Sequence, residues 1–299
     1  MYRVVQLEME ELVSIIIPTY NREQLVERCI NSILEQSYKH FEIVVIDNYS
    51  NDHTAGIINN INSNKIKFFQ INNNGVIAKS RNYGIKKAKG KYIAFLDSDD
   101  WWDKEKLKKC INFLGEYDFV YHNMKQVQGI KEKNLRVRSI SEPYFEDLIV
   151  NGNAIMTSSV VTKKEVLLDC NMFNESETHK GWEDYELWLK IAKNKYRFKR
   201  LNKFLGYYHI GDDNFDNPNQ ALKNISLIDE HVIKKLEKRY ANIWWPNYAK
   251  GRLYSNLGDY NHSNYFLKNT LKKNRVPLIV MIKIFYTLML NFLKLKKII

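Results

Sequence analysis

Residues 95–102 read FLDSDDWW and set three carboxylates, Asp97, Asp99 and Asp100, directly behind an apolar run. Two acids one residue apart suit a hard divalent cation, one bound directly and the other directly or through water, leaving positions for phosphate oxygens. The same spacing also serves an Asx turn and a cap for the helix that follows. The company these acids keep strengthens the first reading. Asp47 closes a second apolar run, Thr19, Tyr20 and Asn21 follow a third, and a basic pair, Lys79 and Arg81, lies between them in sequence. Such a constellation would surround a nucleotide at the edge of a sheet.

The elements that must position these groups follow from periodicity. VSIII (13–17) reads as a buried strand stopped by Pro18 and Thr19, and NREQLVERCINSILEQ follows with Leu25, Cys29, Ile30, Ile33 and Leu34 at helical spacing. FEIVVIDN (41–48) is a second strand, TAGIINNINSN a short helix and residues 65–71 a third strand. Residues 77–88 read as a helix ended at Gly90, and KYIAFL delivers the acidic cluster. Alternating β and α with unbroken apolar strands predicts an α/β fold, a mostly parallel sheet flanked by helices on both faces. In such sheets ligands bind beyond the carboxyl ends of the strands, where Thr19, Asp47 and Asp97 to Asp100 fall.

The middle of the chain is less regular. Residues 105–114 look helical, 119–122 strand-like and 126–141 a polar, basic loop or hairpin, while GNAIMTSSVVTKKEVLLDC offers a strand leading into a helix. GWEDYELWLKIAKN is a further helix with Asp184, Leu187, Trp188 and Ile191 on one face, and from about residue 225 the pattern is helical, with an LGDY turn (257–260) joining two helices. The expected division is an N-terminal extension (1–11), a nucleotide-binding half (12–104), a less regular second half (105–220) and a C-terminal helical region (221–299).

Composition bounds the alternatives. The chain has 299 residues, 44% hydrophobic and 13% aromatic, enough for one large core or two domains and too apolar for disorder. Its three cysteines, Cys29, Cys110 and Cys170, have no metal-like spacing and read as buried thiols kept reduced in a cytosolic compartment. The segment MYRVVQLEMEEL carries acids where a signal peptide has its basic end, so export by that route is not expected. The formal net charge of +12 is unevenly spread: residues 1–100 hold 12 Lys+Arg and 12 Asp+Glu, whereas residues 260–299 hold 8 Lys+Arg and no acid. A non-enzymatic basic module binding nucleic acid or membrane would explain the charge but not the acids, and no nucleic-acid recognition motif is visible. Nucleotidyl transfer on a similar sheet would want a glycine-rich loop after the first strand, and PTYNRE has no glycine.

PTYNR (18–22), IDNYSNDHT (46–54), SRNYGI (80–85), FLDSDD (95–100) and WEDYELWLK (182–190) occur in the order and at about the spacing of the family 2 inverting glycosyltransferases of GT-A fold, which the chain resembles over roughly residues 12–210. The resemblance implies a Rossmann-like nucleotide-sugar domain and transfer of a sugar, with inversion, from a UDP-sugar to a hydroxyl of a glycan acceptor, lipid-linked or lipid-anchored, in bacterial surface polysaccharide synthesis (O-antigen, capsule or lipooligosaccharide). By position it implies that Pro18, Thr19, Tyr20 and Asn21 line the nucleotide, Asp47 bonds the base, Arg81 borders the pocket, and Asp97, Ser98 and Asp99 form the DxD motif. Asp99 and Asp97 would then hold Mn2+ or Mg2+, with His209 as a further group near the metal or diphosphate. The chain departs from the family at Asp47, Asn48 and Tyr49, where two acids and a glycine are common.

Asp184 corresponds to the family's base, which must take a proton from the attacking hydroxyl, and Glu183 is its rival or support. A carboxylate at a helix N-terminus stays ionised, as a base requires. The plainer reading is a solvated first turn with Glu186 paired to Lys190. Of the tryptophans Trp101, Trp102, Trp182 and Trp188, only Trp182, beside the acids, is assigned to the acceptor side.

In PLIVMIKIFYTLMLNFLKLKKII the polar residues Lys283, Thr287, Asn291, Lys294 and Lys297 recur as a narrow stripe on an otherwise apolar helix. A broad apolar face flanked by lysines suits a helix lying in an anionic membrane interface, and equally a face packed on the preceding helices or on a second copy of the chain. The expectation is a cytoplasmic protein, peripheral on the inner face of the membrane, with oligomers allowed and nucleic acid not a partner.

Overall fold

The apolar runs form strands whose two faces are both covered. β1 (Val13–Thr19) and β2 (Phe41–Asp47), separated by α1 (Val26–Leu34), are buried at every position. α2 (Thr54–Asn60), β3 (Ile66–Gln70), α3 (Ile77–Lys87) and β4 (Tyr92–Phe95) complete the alternating half. Then come β5 (Trp101–Trp102), α4 (Lys106–Ile111), β6 (Phe119–Gln128), β7 (Lys131–Leu135), α5 (Tyr144–Asn151), β8 (Val161–Lys163), α6 (Lys164–Asp169), α7 (Glu183–Lys193), β9 (Phe198–His209), α8 (Pro218–His231), α9 (Trp245–Asn256), α10 (Tyr260–Leu271) and α11 (Leu278–Leu295). This computed structural model describes residues 11–211, 218–233, 236 and 243–296, so most of the expected N-terminal extension and Lys297 lie outside the described residues.

The chain forms two compact units, one of residues up to Ser139 with Ile155–Glu175 and Asn194–Ile210, the other of Ile140–Ala154, Ser176–Lys193 and the chain from Gly211 onward. The first unit holds a nine-stranded sheet in the order β3-β2-β1-β4-β8-β6-β9-β5, with β7 paired to β6. Its β3-β2-β1-β4 portion is parallel, as expected. Beyond β4 the sheet is mixed, since β8 runs antiparallel to β4 and β6, β5 antiparallel to β9, and only β6 and β9 pair in parallel. The strand order reverses between β1 and β4, which opens a crevice beyond their carboxyl ends.

Two details differ from the expected boundaries. β1 does not stop before Pro18; it continues through Thr19 in register with Asp47. The Ile16 carbonyl accepts from Leu96 on the β4 side, so Pro18, two residues on, turns its hydrogen-free nitrogen to the same side, past the end of β4, and no ladder bond is lost. Gly90 is needed for close approach and not as a helix stop, because a Cβ there would lie 2.6 Å from the Leu12 carbonyl oxygen and 2.7 Å from the Ser14 nitrogen. Gly84 lets α3 sit close on the sheet in the same way, since its Cβ would meet Ile16 Cγ2 at 2.6 Å and Ile46 Cδ1 at 2.7 Å.

In the second unit α5 and α7 are tied by the Tyr185 hydroxyl donating to the Leu148 carbonyl at 2.8 Å, and the Trp245 indole donates to Ile149 O at 2.9 Å. α9 and α10 form the expected hairpin, with Gly258 in the left-handed region (φ +79°) and Asp259 capping α10 through the His262 N–H. The approach of the two helices is close enough that a Cβ at Gly251 would stand 2.7 Å from the Leu267 side chain. Val280, Ile284 and Leu288 of α11 pack on this hairpin with Trp244, Leu267 and Leu271.

Candidate active site

Loops at the carboxyl ends of β1 and β2 are bound to each other before any ligand is considered. Asn21, at φ +50°, donates its N–H to Ser50 Oγ at 2.9 Å and accepts the Asn51 N–H on its amide oxygen at 3.0 Å. Asp47 is fully buried and accepts from the Ser50 N–H (3.0 Å), from the Ser50 hydroxyl and from the Gln70 amide (3.0 Å). Asn21 and Asp47 therefore shape the pocket as well as line it. Tyr49 takes the left-handed backbone (φ +50°) at the position where the resemblance implies a glycine, so the loop has a glycine-type turn without the glycine. Thr19 is buried, and its hydroxyl has no hydrogen-bond partner among the described residues, which leaves an unspent polar group at the strand end. Tyr20 is exposed beside it and Pro18 is buried beneath.

The acidic turn closes on itself through the Asp100 N–H donating to Asp97 O at 3.0 Å, and Ser98 is buried inside it. Arg81, brought in by α3 and 4% exposed, donates to Asp97 Oδ1 at 2.8 Å. Arg22 Nη2 stands 3.9 Å from Asp99 Oδ2. Asp100 is buried and accepts the His209 backbone N–H at 3.0 Å, so His209 at the end of β9 is held beside the turn. Burial and then the Asp97 charge push the Asp99 carboxyl above its usual range, and burial followed by Asp99 and Asp97 pushes Asp100 well above it. Burial, with Arg28 and Arg22, lowers the His209 imidazole and favours its neutral, lone-pair-bearing form.

These residues fit a divalent cation. Three carboxylates crowd one turn, and their mutual repulsion favours protonation of Asp99 and Asp100, which a cation would relieve. Among the described residues no three His, Cys, Asp or Glu side chains form a ready cage, and the donor set suits a cation that completes its shell with phosphate oxygens and water.

In the second unit Glu183 and Asp184 open α7 and are separated by their surroundings. Glu183 is buried and accepts the Gly181 N–H at 2.7 Å, whereas Asp184 is half-buried with Oδ1 accepting the Tyr185 N–H. Of the two, Glu183 is tied to the turn at Gly181 (φ +88°), and Asp184 is the more exposed group. Glu186 pairs with Lys190 at 3.0 Å, as the plainer reading expects. Trp182, expected on the acceptor side, is 2% exposed, stacks on His179 at 4.3 Å and donates to Thr178 O, contacts that support the turn from within.

Sequence reasoning missed Arg28. Its guanidinium lies 3.7 Å over the Trp101 ring and donates to Asp99 O at 3.1 Å, and Trp101 stacks in parallel on Tyr207 at 5.0 Å. On the polar side of an amphipathic helix, 71 residues from its partner, it carries no local signal. Arg22, within PTYNR, is a second such residue. Its place directly after the strand-one turn was the available signal.

A parallel β3-β2-β1-β4 sheet with an acidic turn at its switch point defines a nucleotide-binding fold of GT-A type. The model of the family "Glycosyl transferase family 2" matches residues 14–161. The UDP-Glc:alpha-D-GlcNAc-diphosphoundecaprenol beta-1,3-glucosyltransferase WfaP of Escherichia coli is 34% identical over 201 residues, 67% of this chain and 78% of its own. An uncharacterized glycosyltransferase of Rickettsia felis is 33% identical over 266 residues, 84% of this chain and 43% of its own, so the chain spans less than half of that relative's length. The crystal structure of Staphylococcus aureus TarS 1-349 in complex with UDP is similar with a TM-score of 0.57 and 25% identity, over 89% of this chain and 75% of that one. The chain belongs to glycosyltransferase family 2 and has the GT-A fold.

Proposed function

We propose that the chain is an inverting, divalent-cation-dependent glycosyltransferase that takes a sugar from a UDP-sugar and places it on a hydroxyl of a lipid-linked glycan in surface-polysaccharide synthesis. The observation that carries this reading is the meeting of Asp97, Asp99, Arg81 and Arg22 beyond β1 and β4. A uridine nucleotide appears in the names of both the Escherichia coli glucosyltransferase and the TarS complex, and the first of these names a diphosphoundecaprenol-linked acceptor. Both support the donor class, and the first supports the acceptor class.

Thr19, Asn21 and the Asp47 loop would take the nucleoside, while Arg81 and Arg22 hold Asp97 and Asp99 in place and add positive charge near the diphosphate. A bound Mn2+ or Mg2+, held by Asp99 and Asp97 with His209 nearby, supplies neutralisation of the charge that develops on the leaving diphosphate. Asp184 takes the proton of the acceptor hydroxyl, with Glu183 holding the turn before it. Direct displacement of this kind needs no covalent enzyme intermediate, and it inverts the anomeric centre.

A panel of nucleotide-sugars with Mn2+, Mg2+ or chelator tests the reading through thermal stabilisation and donor hydrolysis. Stabilisation and hydrolysis by uridine donors only when metal is present are expected. Metal-independent behaviour, or no response to any nucleotide-sugar, would overturn it.

A further inference from the structure

α11 presents its residues in an unusual sense. Thr287 (6% exposed) and Asn291 (0%) face the α9–α10 hairpin with Val280 and Ile284, while Ile279, Ile282, Phe285, Met289 and Phe292 are 51–61% exposed. Steps of three and four put these five on one stripe of the helix. Lys272, Lys273 and Arg275 precede the helix, Lys294 and Lys296 end it, and residues 260–296 contain no acid. An apolar stripe bracketed by cations matches the boundary between anionic headgroups and acyl chains. A second copy of the same face would set basic ends against basic ends.

We propose that α11 docks in the plane of an anionic lipid surface through this stripe, an inference independent of the donor site. The helix is long and apolar enough to cross a bilayer. Its buried side, however, is fastened: Asn291 donates to Ser263 Oγ (2.8 Å) and Asn264 Oδ1 (2.9 Å) and accepts from Ser255 Oγ (2.8 Å). Spanning would break all three bonds and carry Asn291 and Lys283 into hydrocarbon. In-plane docking keeps the bonds and leaves the flanking lysines at headgroup level.

The test is co-sedimentation of the full chain with phosphatidylglycerol-containing vesicles and with pure phosphatidylcholine vesicles. Binding to the anionic vesicles should exceed binding to the neutral ones by about tenfold or more and fall in high salt. A Phe285→Ser/Met289→Ser variant and a Lys272→Glu/Lys273→Glu variant should each lose about tenfold while keeping the melting temperature and UDP binding of the parent, since all four positions are surface sites of the second unit. Equal binding to both vesicle types, or variants that bind like the parent, would overturn the proposal. So would retention in vesicles after alkaline extraction, which marks a spanning helix, or a dimer that the Phe285→Ser/Met289→Ser variant splits without any vesicle binding by the parent.

Discussion

Asp100 accepts the backbone N–H of His209 at 3.0 Å, joining the acidic turn to the end of β9 across 109 residues of sequence. Ser158 adds a side-chain hydrogen bond to the same carboxyl. Asp100 thus fastens the turn, while Asp97 and Asp99 remain for a ligand. Asp100→Asn keeps an acceptor for His209 and removes a buried charge, and it should change stability by less than about 1 kcal/mol. Asp100→Ala strands the donors and should cost about 1–3 kcal/mol. Urea unfolding of the two variants distinguishes this role, and equal losses would show that the charge itself is what matters.

Asp99 and Asp184 are assigned to different steps, which makes their variants separable. Asp99→Ala should abolish metal-dependent UDP binding and transfer together. Asp184→Asn should leave UDP affinity nearly intact while lowering transfer by about 10²–10⁴-fold, the usual worth of a general base. Calorimetric UDP titration beside a transfer assay reads both quantities. Tight metal-dependent UDP binding by the first variant, or normal turnover by the second, would remove the corresponding role.

Tyr49 carries a positive φ of 50° and is 59% exposed, so it bears the backbone cost of a glycine position with little packing in return. A left-handed conformation costs a non-glycine residue about 1–2 kcal/mol, and glycine's greater chain entropy returns about 0.5–1 kcal/mol of that. Tyr49→Gly should therefore stabilise the chain by up to about 1.5 kcal/mol with the Asp47–Ser50 hydrogen bonds retained. Thermal melting with and without UDP checks it. A variant that melts higher but loses UDP affinity would give Tyr49 a contact with the nucleotide.

The parallel half of the sheet was legible because β1, β2 and β4 are covered on both faces and so read as unbroken apolar runs ending in Thr19, Asp47 and Asp97. β9 was not legible. Its pairing with β6 shifts register around Asn123, so the buried Phe198, Leu201 and Leu205 stand three and four residues apart, a helical spacing in place of the strand's period of two. α5 escaped because its eight residues make a short helix and its clearest support, Tyr185 on Leu148, lies 37 residues away. The same reason hid Arg28, whose role is a contact with Trp101 and Asp99 and not a pattern along α1. In α11 the polar stripe was visible, but the burial of Asn291 against the α9–α10 hairpin depends on Ser255, Ser263 and Asn264, which no local period announces.

Lys106 is fully buried with its Nζ 3.2 Å from the centre of the Trp102 ring, and burial lowers its ammonium to about 7. The unfolded chain holds that proton up to about 10.4, so between these values it binds more protons than the folded chain and stability rises with pH. Below about 7 both states are protonated and the cost is constant. The slope has a ceiling of about 1.4 kcal/mol per pH unit, and the Trp102 face, which favours the ammonium, reduces it. Cys29 and Cys110 act in the opposite sense at higher pH, because burial raises both thiols and the unfolded chain loses those protons first. The comparison therefore belongs between pH 7 and about 8, below the usual thiol range. Lys106→Met keeps the bulk and removes the titration, so parent and variant should converge in stability as pH rises across this window, with the variant the more stable at pH 7. Denaturant unfolding at several pH values measures the gap, and a gap that does not change with pH would show that Lys106 keeps one protonation state throughout.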